Sequence, residues 1–208
     1  MKRINSYLPL KRGVDVLLAS VLLVLALPLM ALIAVVVALD SGTPVLFRQT
    51  RIGRFGRPFT ILKFRTLHPT PHALTEPLPA ATRSGVFLRR WGLDELPQLW
   101  NVIRGDMSLV GPRPTVPSQV ERYTAFERRR LALRPGLTGW AQVQGRNTLR
   151  WESRIRLDVD YVERTSLGLD AWILLRTPFA LLSAEDAYGP GGRNSDFAPM
   201  ANPDVRAA

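Results

Sequence analysis

The sequence predicts an α+β protein that is mostly helical, with an N-terminal re-entrant membrane helix, a small β-hairpin and amphipathic interfacial helices. Three observations support this fold class. The stretch Val14–Leu39 is almost entirely apolar, two short β-type runs flank a glycine-containing loop, and apolar residues further along recur at helical spacing. We expect a membrane-inserted helix over residues 1–40, a domain at the membrane face over residues 41–184 and a disordered tail over residues 185–208.

The apolar stretch Val14–Leu39 carries a single charge, Asp15, close to its start. It is long enough to cross the hydrocarbon core of a bilayer, which takes about 20 residues. A signal peptide fits poorly because the apolar run is too long and no clear small-residue cleavage site follows it. A helix buried in a soluble core is the alternative that stays open.

Both flanks of this stretch are basic. Basic segments stay on the cytoplasmic side of a membrane, and Pro28 would bend a helix near the middle of the stretch. A helix that enters, bends at Pro28 and returns to the same leaflet keeps both flanks in the cytoplasm, whereas a straight span leaves one outside. We therefore favour re-entry over spanning. The flanking cations are Lys2, Arg3, Lys11 and Arg12 before the stretch, and Arg48, Arg51, Arg54, Arg57, Lys63 and Arg65 after it.

The composition restricts the classes of partner and chemistry. The 208 residues carry a formal net charge of +11 and the pI is about 11.2, which favours an anionic partner: nucleic acid, an anionic membrane or a phosphorylated substrate. A nucleic-acid-binding protein would account for the charge but would not need the apolar stretch, so we expect no nucleic-acid partner. Cysteine is absent, which excludes disulfides, thiolate nucleophiles and cysteine-based metal sites.

Two short strands are expected at Val45–Gln49 and Phe59–Phe64, joined by the glycine-containing loop Arg51–Pro58. Side chains alternate along a strand, so Lys63 and Arg65 fall on the same face. Such a hairpin would present two cations together to an anionic ligand. The alternative is an ordinary solvated face on an edge strand.

The segment 67–84 contains four prolines and little periodicity, so we expect a loop there. A short basic helix, Val86–Trp91, follows the loop and carries Arg89 and Arg90.

Asp94 and Glu95 are adjacent carboxylates in a chain that has 28 Lys plus Arg and only 17 Asp plus Glu. A helix is expected to begin around Asp94, because Pro97 is tolerated only in a first turn, and to end at Gly105. The helix dipole would keep both carboxylates ionised. Local sequence alone favours the interpretation of Asp94 as a simple N-cap; an N-cap, however, requires neither Glu95 nor the surrounding cations. The pair is typical of a metal-assisted phosphoryl-transfer site.

The helix that follows the pair is expected to bury one face. Its apolar residues at helical spacing are Leu96, Leu99, Trp100 and Ile103.

The rigid turn Gly111–Pro114 follows this helix. Its prolines fix the backbone, so the guanidinium of Arg113 is presented at little entropic cost, and its planar fork suits a phosphate.

The remaining chain is expected to be mostly helical. We predict a basic helix over residues 116–133, whose cluster Arg128–Arg130 forms a solvated or membrane-facing surface. A glycine-punctuated loop over residues 134–145 precedes a helix at Trp151–Arg164. The apolar stretch Leu167–Leu182 is interrupted by polar residues and suits an interfacial amphipathic helix.

Together these segments resemble the bacterial sugar transferase family, the monotopic polyprenyl-phosphate phosphoglycosyl transferases. The resemblance covers about residues 11–175 in the family's order. It is to the minimal form, since the N-terminal multi-span domain of the larger members is missing, and the loop 67–84 departs from the family by lacking its usual acidic character. The matching stretches are KRGVDVLLAS, PVLFRQTRIGRFGRPFTILKFRT, LDELPQLWNVIRGDMSLVGPRP, RPGLTGWAQVQGR and LDVDYVERTSLGLD.

The resemblance implies transfer of a phosphosugar from a UDP-sugar to polyprenyl (undecaprenyl) phosphate, giving polyprenyl diphosphate sugar and UMP. This is the first membrane step in assembling surface glycans such as exopolysaccharide and lipopolysaccharide. The implied location is the bacterial inner membrane, with residues 41–184 as a catalytic domain that faces the cytoplasm and contacts membrane lipid. A homo-oligomer stays open as a further partner.

The resemblance also implies roles for individual residues. In the family an aspartate attacks the β-phosphorus and forms a phosphosugar–aspartyl intermediate, and this role falls to Asp94. Glu95 would hold Mg²⁺ together with Asp94, or assist proton handling. Four cations match family residues that contact phosphate or belong to the KFRT motif: Arg89, Arg113, Lys63 and Arg65.

Two alternatives share these features. An inactive membrane-bound scaffold of the same fold would keep the elements without the reaction, although retention of Asp94, Glu95 and Arg113 argues against it. A direct glycosyl transferase to a lipid would release UDP rather than UMP.

Overall fold

The first element of the fold is one long apolar helix, α1 (Lys2–Ser41), which contains Pro9 and Pro28. Its segment Tyr7–Ser41 is long and apolar enough to cross a membrane, and only 11% of its most apolar window is buried against the rest of the protein. A buried helix of a soluble core is therefore the wrong description of this stretch. The computed structural model describes residues 2–68, 80–145 and 149–182.

Helix α1 contacts the rest of the protein near both of its ends. In its first half Asp15 is buried and accepts a hydrogen bond of 2.6 Å from Ser108 Oγ. In its second half Val37 is fully buried, in a cluster with Phe64. Between them, no residue from 20 to 32 is buried. The one charge within the predicted apolar stretch thus lies against the domain.

The predicted hairpin is confirmed as β1 (Leu46–Ile52) paired antiparallel with β2 (Pro58–Phe64). Helix α3 (Gln98–Arg104) is fixed to the edge of β2 by one side chain. Asn101 accepts a hydrogen bond from the Leu62 N–H at 3.1 Å and donates one to the Thr60 carbonyl at 2.8 Å. The amide of Asn101 therefore pairs with β2 much as a neighbouring strand would.

The acidic pair lies in a turn of its own. Helix α2 (Arg83–Trp91) ends at Gly92, whose φ of 67° is the left-handed conformation that glycine adopts readily. A 3₁₀ turn, Leu93–Glu95, follows, and α3 starts only at Gln98, after Pro97. The prediction that α3 begins at Asp94 was wrong. Because Pro97 occupies the N-cap position of α3, Asp94 is not its N-cap, which removes that interpretation.

A second, parallel sheet pairs β3 (Ser108–Val110) with β4 (Gly136–Thr138). The strands approach closely next to β3, where a Cβ added to Gly136 would overlap the backbone nitrogen of Gly111. The prediction of a loop over residues 134–145 was wrong, since this segment forms β4 and helix α6 (Trp140–Gly145). Three-residue strands carry too little pattern to be distinguished from a loop.

The segment 116–133 is not one helix. It forms α4 (Pro117–Val120), α5 (Ala125–Arg128) and a 3₁₀ turn. Thr124 and Glu127 make a capping box that starts α5 afresh, because each side chain binds the backbone N–H of the other. The chain therefore changes direction within the basic segment.

Helices α7 (Trp151–Arg164) and α8 (Leu167–Leu182) match their predicted bounds. Asp170 of α8 is buried and accepts hydrogen bonds from Lys11 Nζ at 2.5 Å and Tyr161 Oη at 2.6 Å, which ties α8 to α1 and α7. The opposite side of α8 exposes apolar side chains, namely Trp172, Leu175, Phe179 and Leu182. The α+β class and its mostly helical content are confirmed; the predicted tail 185–208 lies outside the described residues.

Candidate active site

Glu95 is held by two cations from different parts of the chain. Lys63, near the end of β2, lies 2.6 Å from Glu95 Oε1. Arg113, in the turn after β3, lies 3.3 Å from the same oxygen. Both cations share Oε1, so Oε2 takes no part in either contact. The structure thus brings three predicted site residues together around one carboxylate.

Asp94 is buried, with 7% of its surface exposed. The negative charge of Glu95 acts on it from the same turn, and three positive charges act on it from Lys63, Arg89 and Arg113. Arg89 reaches this region from α2, which ends just before Gly92. Four of the predicted cations and carboxylates therefore surround Asp94.

The two carboxylates titrate in opposite directions. Burial raises the pKa of Asp94 above its usual value, and the charge of Glu95 raises it further against the pull of the nearby cations. Burial also acts to raise the pKa of Glu95, but attraction to Lys63 and Arg113 and their hydrogen bonds outweigh it and lower the pKa to about 2. Glu95 is therefore a fixed counter-ion, while Asp94 is the more basic of the pair.

The turn that presents Arg113 is held through its backbone carbonyls. Prolines at two of its positions supply no N–H, so the turn is anchored by acceptors instead. Four consecutive carbonyls accept hydrogen bonds: Pro112 from Gly136 N at 2.9 Å, Arg113 from Arg130 Nη2 at 2.7 Å, Pro114 from Arg51 Nη1 at 3.2 Å and Thr115 from Ile52 N at 2.8 Å. The rigid turn predicted from the sequence has this physical basis.

Arg65 is not brought to the acidic pair. It lies just beyond β2, is buried, and donates hydrogen bonds to the carbonyls of Ser41 at 2.6 Å and of Gly42. Lys63 and Arg65 were expected to act from one face of a strand. The structure instead places Lys63 at Glu95 and Arg65 at the end of α1, where the carbonyls of Ser41 and Gly42 bind its guanidinium.

Two residues near the site were missed by the sequence reasoning. Asn101 fixes α3 against β2 beside Lys63, and its polar side chain on the buried face of an amphipathic helix was a usable signal. Arg130 was assigned to an exposed basic cluster, yet only 3% of it is exposed and it binds the backbone of Arg113. No pattern within three consecutive arginines distinguishes the buried one.

The acidic pair fits a hard divalent cation such as Mg²⁺. Among the residues that the structure describes, no three His, Asp or Glu side chains converge on one point. Mg²⁺ is commonly bound through one or two carboxylates while substrate phosphates and water complete its octahedron. Asp94 and Glu95 Oε2 are oxygen donors of this kind, so the donor set suits the ion.

The structure combines a helix long and apolar enough to cross a membrane with a buried acidic pair that three cations neutralise, and comparison with known proteins identifies the family. The chain belongs to the bacterial sugar transferase family, whose model matches residues 6–184. It is 44% identical over 191 residues to the UDP-glucose:undecaprenyl-phosphate glucose-1-phosphate transferase of Caulobacter vibrioides, covering 86% of this chain and 72% of that protein.

Further relatives show how this chain compares in length. The uncharacterized sugar transferase EpsL of Bacillus subtilis is 42% identical over 179 residues, which cover 85% of this chain and 89% of EpsL. The UDP-glucose:undecaprenyl-phosphate glucose-1-phosphate transferase of Escherichia coli is 39% identical over 192 residues, which cover 86% of this chain but 41% of that protein. The chain therefore spans most of some relatives and less than half of others.

Proposed function

We propose that this protein transfers a phosphosugar from a UDP-sugar to undecaprenyl phosphate, giving undecaprenyl diphosphate sugar and UMP. The names of the Caulobacter and Escherichia coli relatives support this reaction type. The observation that carries the proposal is the arrangement of Asp94: a buried carboxylate, made more basic by its surroundings, beneath the positive charges of Lys63, Arg89 and Arg113.

In the first step an oxygen of Asp94 attacks the β-phosphorus of the UDP-sugar. The bond from that phosphorus to the bridging oxygen breaks, and UMP leaves with the oxygen and its electron pair. A phosphosugar ester on Asp94 results. A carboxylate is ionised at neutral pH and needs no base to activate it, and the raised pKa of Asp94 makes it a better nucleophile.

In the second step an oxygen of undecaprenyl phosphate attacks the phosphorus of the Asp94 ester. The bond between that phosphorus and Asp94 breaks, which regenerates the carboxylate and gives the diphosphate product. Phosphoryl transfer depends mainly on positioning and charge neutralisation. Arg113 and Arg89 supply that charge here, and Glu95 keeps Arg113 and Lys63 in place through its two ion pairs.

Asp94 and Glu95 would hold Mg²⁺, in keeping with the oxygen donors that they offer. Bound there, the ion supplies charge neutralisation for the phosphates of the substrate.

Helix α1 supports a re-entrant geometry at the membrane. It rests on the domain through Asp15 near one end and Val37 near the other, while Leu25 between them is 72% exposed. A domain that lies on one side of the membrane can hold both ends only if the helix returns to that side. Pro28, in the free middle of α1, supplies a bend. We infer that α1 dips into one leaflet of the bacterial inner membrane and that the domain faces the cytoplasm.

The acidic turn lies next to apolar surface. Helix α2 exposes Val86, Phe87 and Trp91 immediately before Gly92, and Leu181 of α8 packs beside Gly92. Exposed apolar and aromatic side chains favour the boundary between lipid and water. This supports placing Asp94 at the height of the phosphate groups, where membrane-held undecaprenyl phosphate carries its own phosphate.

The test is a screen of UDP-sugars with undecaprenyl phosphate, using the purified full-length protein in nanodiscs and measuring the released nucleotide. UMP together with undecaprenyl diphosphate sugar is the expected result. Release of UDP would indicate direct glycosyl transfer, and no product with any UDP-sugar would indicate an inactive scaffold.

The covalent step has its own test. After rapid quenching of the enzyme with UDP-sugar alone, mass spectrometry should show a phosphosugar adduct on the peptide that contains Asp94. An Asp94→Asn variant should show none. Product formation by wild type at full rate with no adduct on any peptide would refute the intermediate.

A further inference from the structure

Arg130 is a buried guanidinium that connects the turn of Arg113 to helix α7. Its Nη2 donates a hydrogen bond of 2.7 Å to the backbone carbonyl of Arg113 and another to the carboxylate of Asp158. Its Nη1 donates to Tyr123 Oη at 2.6 Å. Only 3% of Arg130 and 3% of Asp158 are exposed. One side chain therefore holds three groups from three segments of the chain.

A contribution to the stability of the fold does not by itself explain why Arg130 and Asp158 form a buried ion pair. Burial raises the pKa of Asp158 against the attraction of Arg130, which shows that the carboxylate loses much hydration. Within the described part of the chain, Arg130 Nε is buried without a hydrogen-bond partner. Buried ion pairs are often no more stabilising than well-packed apolar residues of similar volume, because both charges lose their hydration. The pair therefore points to a role in positioning.

The hydrogen bond to the Arg113 carbonyl is made at the residue whose side chain reaches Glu95. The neighbouring Pro112 and Pro114 have no N–H, so the backbone at Arg113 is located through carbonyl acceptors. Without the Arg130 bond this carbonyl would be left facing a buried region. The turn would then shift, and the 3.3 Å contact between Arg113 and Glu95 would shift with it.

We propose that Arg130 and Asp158 are positioning residues for Arg113: Asp158 orients the Arg130 guanidinium, which holds the Arg113 carbonyl and so places the Arg113 side chain over the acidic pair. Both residues are buried, so the proposal gives them no contact with the substrate. This inference rests on the proposed function only for its kinetic consequence, since the placement of the turn is a property of the protein itself.

The chain offers a matched control one residue away. Arg129 and Glu163 form an ion pair that also joins the basic segment to α7, but their side chains are 52% and 48% exposed. The test compares the double variant Arg130→Met/Asp158→Leu with Arg129→Met/Glu163→Leu in full-length protein in nanodiscs. Three quantities are measured: Tm, kcat/KM for UMP release, and hydrogen exchange of the backbone amides in residues 111–116.

For the buried pair we expect a folded protein whose Tm is lowered because the Arg113 carbonyl loses its donor, faster amide exchange in residues 111–116 and a loss of about 10- to 100-fold in kcat/KM, as a displacement near 1 Å produces. The variant Arg129→Met/Glu163→Leu should leave Tm, amide exchange and kcat/KM unchanged. Amide exchange and kcat/KM equal to those of wild type in a folded Arg130→Met/Asp158→Leu protein would overturn the proposal.

Two further outcomes are covered. If the buried double variant does not fold, Arg130→Lys decides: it keeps the charge opposite Asp158 but has no planar fork, so Tm should be retained while kcat/KM falls about 10-fold. Unchanged kcat/KM there also overturns the proposal. If wild type itself releases no UMP, the proposed function has failed, and the exchange of residues 111–116 still tests the positioning role.

Discussion

Lys63 Nζ lies 2.6 Å from Glu95 Oε1, so the hairpin and the acidic turn, 32 residues apart in the chain, meet through one ion pair. Asn101 helps to position this contact, because its side chain fixes α3 to the backbone of Thr60 and Leu62, just before Lys63 in β2. The hairpin and the acidic turn form one unit. Lys63 is therefore part of the candidate site, and the alternative of a solvated edge position does not apply to it.

The ion pairs of Glu95 should make stability depend on pH. The pKa of Glu95 is lowered to about 2, so its ionised form stabilises the fold at neutral pH. This contribution is complete above about pH 4.5 and is lost as the pH falls towards 2. Glu95→Gln should cost roughly 1–3 kcal/mol at pH 7, and its Tm should approach that of wild type only near pH 2. A Tm difference that does not change with pH would contradict the ion-pair origin.

Asp94→Asn should have the opposite effect on stability while it abolishes activity. The pKa of Asp94 is raised by burial and by Glu95, so its ionised form costs stability at neutral pH, and this cost fades as acid protonates it. We expect a Tm a few degrees above wild type at pH 7, a smaller difference at low pH, and at least about a 10³-fold loss in kcat. Activity comparable to wild type would exclude Asp94 as the nucleophile.

Much of the fold could be predicted because long patterns determine it. The apolar helix, the hairpin and helices α7 and α8 each show many residues of consistent spacing, and their bounds agree with the structure to within a few residues. The parallel pair of β3 and β4 could not be predicted, since each strand has three residues and its partner is distant in sequence. Local patterns therefore predict single helices and hairpins, whereas the pairing of short strands depends on contacts between residues that are distant in sequence.

In the candidate site, too, some residues could be predicted from local patterns and others depend on tertiary packing. Motif spacing identified Asp94, Glu95 and Arg113, and the structure brings them together with Lys63. Strand alternation put Arg65 on the same face as Lys63, but it does not determine which group each long side chain reaches, and Arg65 binds the end of α1. Buried polar contacts such as those of Arg130 depend on tertiary packing, which no local spacing encodes.

Arg65 should behave as an anchor of α1 in mutagenesis, in contrast to Lys63. Its guanidinium donates to the carbonyls of Ser41 and Gly42, so Arg65→Gln leaves these acceptors unsatisfied. The free energy of unfolding should fall by about 1–3 kcal/mol, which would lower Tm. The KM for UDP-sugar should change little in the folded variant. Lys63→Met should instead raise KM or lower kcat by about 10-fold or more. Similar kinetic defects in both variants would show that Arg65 also acts on substrate.

Removal of divalent metal should stop the reaction if Asp94 and Glu95 bind Mg²⁺. With excess EDTA we expect no UMP release, and added Mg²⁺ should restore it. A second readout does not depend on turnover: Mg²⁺ should raise the Tm of wild type but not of an Asp94→Asn/Glu95→Gln variant, because a ligand that binds only the folded state stabilises it. Full activity in EDTA would refute the metal role.

The re-entrant geometry of α1 can be tested by labelling, because the chain has no cysteine and gives a clean background. Ser6→Cys reports on one end of α1 and Arg57→Cys, at the exposed tip of the hairpin, reports on the other. Since both halves of the helix rest on the same domain, a membrane-impermeant maleimide should label neither cysteine in intact spheroplasts and both after lysis. Labelling of Ser6→Cys alone in intact spheroplasts would mean that α1 spans the membrane, in which case its contacts at Asp15 and Val37 could not both form.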